Sequence, residues 1–228
     1  MGAPAAVVFD FDGVIVDSER LHHETMVEAM GGEGPATPWE FYHANLMGFD
    51  DRGAFAVLLE RAGIAPTPEA TRWRVARKAA LFVQHAATGR VPALPGAVEL
   101  VRACAAAGPV GLCSGALRSD IDPVLAVLGI ADCFAVRVTA EDVHRSKPDP
   151  TCYRLCVEKL AAAFPGRGIA PGTCVAIEDT TDGIAAAHGA GIPVVAVATN
   201  LPAATLRATG AARVVETLAG LTPDGLAG

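Results

Sequence analysis

Two rhythms of apolar residues alternate along this chain. Short unbroken apolar runs occupy residues 5–9 (AAVVF), 110–113 (VGLC), 174–177 (CVAI) and 193–198 (PVVAVA), with weaker ones at 134–138 and 213–215. Such runs, rich in β-branched side chains, predict strands buried on both faces. Between them lie stretches with apolar residues at helical spacing. These are 97–107, which follows Pro95-Gly96 and stops at Gly108; 119–128, which stops at Gly129; 150–163, with Tyr153, Leu155, Cys156 and Leu160 on one face; and 182–188, which runs into Gly189 and Gly191. Glycine just past a helix is a stop signal, because it adopts the left-handed conformation that closes the last turn. Strands alternating with helices predict an α/β fold, a parallel sheet flanked by helices.

Residues 18–90 break the alternation. Helical patterns follow one another there (19–30, 38–45, 52–62 and 68–87) with no buried strand between them. The expectation is an α-helical domain, 18–90, inserted as a cap or lid after the first strand of a core made of 1–17 and 91–228. A length of 228 residues suits one core with such an insertion.

Composition narrows the partners. The chain is 51% apolar and 19% charged, enough to bury a sizeable core. Its formal charge of −7 argues against nucleic acid, whose phosphates demand a basic face. An anionic small molecule stays compatible, because local cations and a metal reverse the sign inside one pocket. The N-terminal Met1-Gly2-Ala3-Pro4 lacks the basic start and long apolar region of a signal peptide, and no apolar stretch of bilayer length is free of charged or turn residues. The six cysteines include no Cys-x-x-Cys pair, although Cys152 and Cys156 have helical i, i+4 spacing. Buried, reduced thiols in a cytoplasmic protein are expected. No membrane association is expected, and a monomer is the default. Lysine is scarce, with only Lys78, Lys147 and Lys159.

In an open parallel sheet, ligands collect beyond the carboxyl ends of the strands. Three predicted strands end in polar residues there: Asp10 with Asp12, Ser114 with Gly115, and Glu178 with Asp179. In Asp10-Phe11-Asp12-Gly13, two carboxylates two residues apart project to one side of an extended chain and repel, so the pair can divide into nucleophile and general acid. A solvated turn is the ordinary reading of Asp-x-Asp, but the apolar Val14, Ile15 and Val16 that follow do not suit one. Glu178-Asp179 read alone would be a helix N-terminus with a dipole-stabilised acid. Beside the first acidic pair it supplies oxygen ligands for a hard ion such as Mg²⁺, with Asp10, Asp179 and a backbone carbonyl, best that of Asp12, as a partial shell. Lys147, in Arg-Ser-Lys-Pro-Asp-Pro, sits where Pro148 and Pro150 hold the chain extended before a helix; it can neutralise clustered carboxylates and a phosphoryl group. Ser114 and Gly115 offer a hydroxyl and backbone N–H groups for phosphate oxygens.

These residues resemble the haloacid dehalogenase superfamily, in particular its β-phosphoglucomutase-like and phosphoglycolate phosphatase-like branch. The motifs occur in order: Asp10-Phe11-Asp12-Gly13-Val14-Ile15-Val16-Asp17-Ser18, Ser114-Gly115, Lys147-Pro148-Asp149-Pro150, and Ile177-Glu178-Asp179-Thr180-Thr181-Asp182-Gly183. The resemblance implies a Rossmann-like core with an inserted helical cap. It implies that Asp10 is the nucleophile and that Asp12 protonates the leaving group, then activates water. Ser114 and Lys147 would bind the phosphoryl group, and Asp10, Asp179 and the Asp12 carbonyl would hold Mg²⁺ with Glu178 nearby. The implied enzyme is a phosphatase acting on a small phosphate ester, a sugar phosphate by preference. Gly115, Arg118, His22, His23, Phe49 and Arg52 are candidate substrate contacts.

Rival readings follow from the same resemblance. Asp12 argues against a true dehalogenase, which lacks the second aspartate and the metal. Phosphonate cleavage needs a cap lysine, and Lys78, within RWRVARKAA, is expected on a solvated helix face. A sugar phosphomutase is the main alternative, and His22 matches a histidine that mutases use. Yet in Leu46-Met47-Gly48-Phe49-Asp50-Asp51-Arg52, Met47 stands where mutases have lysine and Asp51 where they have arginine. A non-catalytic binder of phosphorylated metabolites would be expected to lack Asp10 or Asp12, and both are present.

Overall fold

The computed structural model describes residues 2–47, 49 and 51–226. The chain forms two compact units, Met1–Asp17 with Pro92–Gly228, and Ser18–Val91. The strands are β1 (Ala6–Phe9), β2 (Val110–Cys113), β3 (Val136–Val138), β4 (Cys174–Glu178), β5 (Val194–Val197) and β6 (Arg213–Val215). The helices, in chain order, are α1 (Glu19–Met30), α2 (Trp39–Asn45), α3 (Asp51–Arg61), α4 (Pro68–Ala86), α5 (Ala97–Ala107), α6 (Arg118–Val127), α7 (Thr151–Ala163), α8 (Thr181–Gly189) and α9 (Ala203–Arg207). No helix among the described residues is long and apolar enough to cross a membrane.

All strand pairs are parallel, in the order β3-β2-β1-β4-β5-β6. The fold is α/β, as the alternating pattern predicts. After β1 the chain builds outward to one side through β2 and β3, then returns to add β4, β5 and β6 on the other. β1 therefore lies between β2 and β4, with Val7 opposite both Val110 and Val175. This is the switch point, beyond whose carboxyl strand ends open α/β sheets characteristically bind their ligands. Every residue of β1, β2, β4 and β5 is buried, which is why these strands read as unbroken apolar runs. One face packs Val8, Val138, Ala176 and Val194 against Tyr153, Cys156 and Leu160 of α7 and Ile184 and Ala187 of α8.

Two local expectations need correction, and one element carries no signal in the sequence. The helix expected over 119–128 begins at Arg118, after Leu117, which makes no side-chain cap. Pro150 is itself helical in conformation (φ −75°, ψ −2°) at the N-cap of α7, so an extended stretch does not reach it. Helix α9 was not expected, because its short alanine-rich sequence carries no periodic signal.

The helical unit has its own core, with Met26, Met30, Tyr42, Leu46, Phe55, Leu58 and Leu59 at its centre. Lys78 is not on a solvated face: it is 4% exposed. Its Nζ donates to Asp51 Oδ1 and Oδ2 at 2.9 and 3.0 Å and lies 2.8 Å from His22 Nδ1. A buried ammonium is tolerated only when paired in this way, and the partners lie 27 and 56 residues away, beyond any helical pattern. His22 stacks on Phe82 with ring centroids 4.4 Å apart. Burial, and then the Lys78 charge, hold its pKa well below the usual histidine range, so the ring is neutral and accepts at Nδ1. His23 donates from Nε2 to the Thr37 carbonyl (2.8 Å) beside Trp39 and Tyr42. Phe49 is 56% exposed and Arg52 is exposed. Gly48 and Asp50, part of the stretch compared with mutases, lie outside the described residues.

Candidate active site

The site is built where β1, β2 and β4 end. The Asp10 backbone N–H donates to the Ile177 carbonyl at 3.0 Å, carrying the β1–β4 ladder one residue past the strand. That bond fixes Asp10 beside Glu178 and Asp179. The chain then folds tightly on itself: Gly13 N–H donates to the Val16 carbonyl (2.8 Å), and Ile15 N–H to the Phe11 carbonyl (2.8 Å). Phe11, Val14, Ile15 and Val16 are buried, so this Asp-x-Asp is not a solvated turn. Gly13 adopts φ +76°, and a Cβ there would overlap Asp179 Oδ2 and sit 2.6 Å from Asn200 Nδ2. Asp12, beside it, is half-buried.

Lys147 is the hub. Its Nζ donates to Asp10 Oδ1 (2.7 Å), Glu178 Oε1 (2.6 Å) and the Cys113 carbonyl (3.2 Å), one acceptor for each ammonium proton. The Lys147–Pro148 peptide is cis. Ser114 is buried, its N–H bonded to the Val138 carbonyl and its Oγ accepting from Ala116 N–H, both at 3.0 Å. Gly115 is exposed. Arg118 pairs with Asp142 (3.0 Å) and Glu141 (3.7 Å) at the start of α6.

The two acids ending β4 differ in their partners. Glu178 is fully buried, and its Oε1 accepts from both Lys147 and the Tyr153 hydroxyl (2.6 Å). Its Oε2 accepts from Asp179 N–H (3.2 Å) and the Thr180 hydroxyl (3.4 Å). Gly183 makes room for this carboxylate, because a Cβ there would overlap it. Asp179 is equally buried. Its Oδ2 accepts from Asn200 Nδ2 at 2.8 Å, whereas its Oδ1 has no hydrogen-bond partner among the described residues.

Ligand oxygens of Asp10, Glu178 and Asp179 all lie within 4.8 Å of one another. Three carboxylates and one ammonium, out of water, leave an excess of negative charge. Burial pushes the Asp10 pKa well above the usual range; Lys147 opposes this, while Glu178 and Asp179 add to it. Burial and Glu178 raise Asp179 to about 7 against the opposing pull of Asn200 and Lys147, and Asp12 adds a further push upward. Burial alone would lower the Lys147 pKa, but Asp10 and Glu178 outweigh it and hold it well above normal, so it remains an ammonium. A divalent cation would relieve the surplus. A buried carboxylate oxygen without a donor, next to two more carboxylates, fits Mg²⁺, a hard ion that takes oxygen ligands.

The structure thus brings together Asp10, Lys147, Glu178 and Asp179, with Ser114 at the end of the neighbouring strand. His22, His23, Phe49 and Arg52 belong to the helical unit. Two residues of the site escaped the sequence reading. Tyr153 passed as part of an apolar helix face, although a buried phenol needs a hydrogen-bond partner. Asn200 lies just past the apolar run 193–198, at the carboxyl end of another strand, where the rule that singled out the other ends also applies.

An open parallel sheet with a lysine-held carboxylate and a cation-ready acid cluster at its switch point is the framework of an α/β enzyme. Residues 4–191 match the haloacid dehalogenase-like hydrolase family, and the chain belongs to that family of hydrolases. CbbY of Rhodobacter capsulatus is 28% identical over 83% of this chain and 83% of its own. Hexitol phosphatase B of Escherichia coli K12 is 29% identical over 81% of this chain and 79% of its own. The crystal structure of a CbbY variant from Rhodobacter sphaeroides, in complex with xylulose-(1,5)bisphosphate, superposes with a TM-score of 0.82 at 24% identity, over 98% of this chain and 99% of that one, and shows the likeness of fold.

Proposed function

We propose that this hydrolase is a Mg²⁺-dependent phosphatase that cleaves a small phosphorylated metabolite, a sugar phosphate or close relative, through a phosphorylated Asp10. The observation that carries this reading is the setting of Asp10: Lys147 holds one carboxylate oxygen at 2.7 Å, and the carboxylates of Glu178 and Asp179 converge beside it. Family membership and the phosphatase names of relatives such as hexitol phosphatase B support phosphatase activity and a sugar-phosphate substrate.

In this mechanism an Asp10 oxygen attacks phosphorus as the ester P–O bond breaks, and Asp12 gives its proton to the departing oxygen. Asp12, now a carboxylate, takes a proton from water, which attacks the phosphorus of the acyl-phosphate. Inorganic phosphate leaves, and Asp10 is restored. Phosphoryl transfer depends mainly on alignment and charge stabilisation. Lys147 and the Ser114 hydroxyl are suited to that task, Lys147 as a charge already locked in place by Glu178. Asp10 and Asp179, with the Asp12 carbonyl, would hold Mg²⁺, which supplies positive charge against the phosphoryl oxygens when bound. Selection among substrates is assigned to the helical unit, with exposed Phe49 and Arg52 as the side chains to vary first.

The test is a panel of sugar phosphates with Mg²⁺, scored by phosphate release. Asp10→Asn should lower turnover by about 10³-fold or more while leaving the circular dichroism unchanged. Normal turnover in that variant would refute the nucleophile. Phosphorus NMR of β-glucose 1-phosphate separates the mutase reading, which requires glucose 6-phosphate to form without net phosphate release.

A further inference from the structure

We infer that Asn200 is a positioning residue, which fixes the rotation of the Asp179 carboxylate so that Oδ1 faces a divalent cation. The inference rests on the reading of Asp179 as a Mg²⁺ ligand and adds a residue from a further strand end to that site.

A carboxylate can turn about its Cβ–Cγ bond, and its two oxygens are equivalent until a neighbour distinguishes them. At Asp179 that neighbour is the Asn200 side chain, which donates from Nδ2 to Oδ2 at 2.8 Å. Once ionised, the form in which it can ligate a cation, a carboxylate only accepts, so the amide presents its NH₂ to it. The consequence is the orphaned Oδ1, buried and without a donor. Glu178 shows the contrast. It is as deeply buried, yet both of its oxygens accept hydrogen bonds from protein groups. Of the two acids ending β4, only Asp179 keeps an oxygen for something from outside.

The packing leaves little slack for another arrangement. Gly13, lacking a Cβ, gives up the volume that Asp179 Oδ2 and Asn200 Nδ2 occupy, so the loops after β1, β4 and β5 meet at this contact. Residue type matters as well. A lysine at 200 would compete with the cation for Asp179. An aspartate would remove the donor and repel the carboxylate. A neutral donor holds the ligand and leaves its charge for the ion.

Partners behind a metal ligand commonly account for about 10- to 100-fold in metal affinity. Mg²⁺ binding by this 228-residue chain, measured calorimetrically and by the Mg²⁺-induced rise in Tm, tests the inference without reference to turnover. Asn200→Ala is expected to weaken Mg²⁺ binding about tenfold or more and to shrink the rise in Tm. The decisive variant is the near-isosteric Asn200→Asp. If residue 200 acts only through local charge, this added carboxylate tightens Mg²⁺ binding; if it orients Asp179, binding weakens. Asn200→Gln retains a donor and should bind more tightly than Asn200→Ala. Wild-type affinity in Asn200→Ala, or tighter binding in Asn200→Asp, overturns the positioning role. Asp179→Asn is the control: if it binds Mg²⁺ as the wild type does, the reading of Asp179 as a ligand fails and this inference with it. Loss in Asp179→Asn with none in Asn200→Ala refutes Asn200 alone.

Discussion

Lys147 spends all three of its ammonium protons on fixed acceptors, two of them buried carboxylates. Its removal would strand Asp10 and Glu178 as unpaired charges. Lys147→Met should therefore destabilise the fold by about 3–5 kcal/mol as well as inactivate it, measured by urea unfolding. Arginine is no substitute, because a planar guanidinium cannot aim at three divergent acceptors. Asp179 gives a pH-dependent prediction. Its pKa is about 7 in the folded chain, against about 3.9 unfolded. Between those values the folded state binds the proton and the unfolded state releases it. Without a divalent cation, this group makes stability fall as pH rises from about 4 to about 7. The expected loss is about 2 kcal/mol between about pH 5.5 and pH 7. If Asp179 ligates Mg²⁺ as proposed, the ion competes with the same proton, and its stabilising effect should grow over that range. Asp179→Asn should flatten the pH dependence of metal-free unfolding. Asp10, Lys147 and Asp179 stood out in the sequence because each follows or precedes an element boundary in an unusual chemical context. Tyr153 and Asn200 act through contacts 25 and 21 residues distant, which no local pattern records.

Helix α8 is set by its first turn. Thr180 caps it, its hydroxyl accepting from Gly183 N–H at 3.1 Å, and the Glu178 carboxylate lies where a Gly183 Cβ would stand. Thr180→Ala should cost about 1 kcal/mol, the usual value of a lost cap. Gly183→Ala should do more harm to activity than to helicity. Alanine favours a helix, but here its methyl would push Glu178 off Lys147. A fall in kcat with far-UV circular dichroism retained is the expected result; wild-type kcat would show that the Glu178–Lys147 contact tolerates displacement. Element positions were largely legible, because buried parallel strands are unbroken apolar runs and glycine closes several of the helices. The first residue of α6, which follows no side-chain cap, and the whole of α9, too short for a periodic apolar face, were not.

Among the described residues, which include all six cysteines, no disulfide links the chain: each cysteine is free, and only Cys133 is not buried. Burial pushes Cys104 to about 12 and Cys174 to about 11, and holds Cys113 well above its normal value. Buried, protonated thiols react slowly. A thiol reagent at about pH 8 should therefore modify about one cysteine per native chain and all six after denaturation, and reductant should leave Tm unchanged. Rapid modification of several thiols in the native protein would contradict this packing.

The α/β class, the succession of strands and helices, and the acidic, hydroxyl and lysine side chains at the strand ends could be read from the order of residues alone, because each is written in short-range periodicity or in a local motif. It took the folded chain to bury Lys78 against Asp51 and His22, to bring Tyr153 and Lys147 to one oxygen of Glu178, and to leave Asp179, alone of the two β4 acids, an oxygen without a donor among the described residues. One cause underlies all three. A buried charge is defined by what surrounds it, and those neighbours come from segments that meet only when the chain has folded.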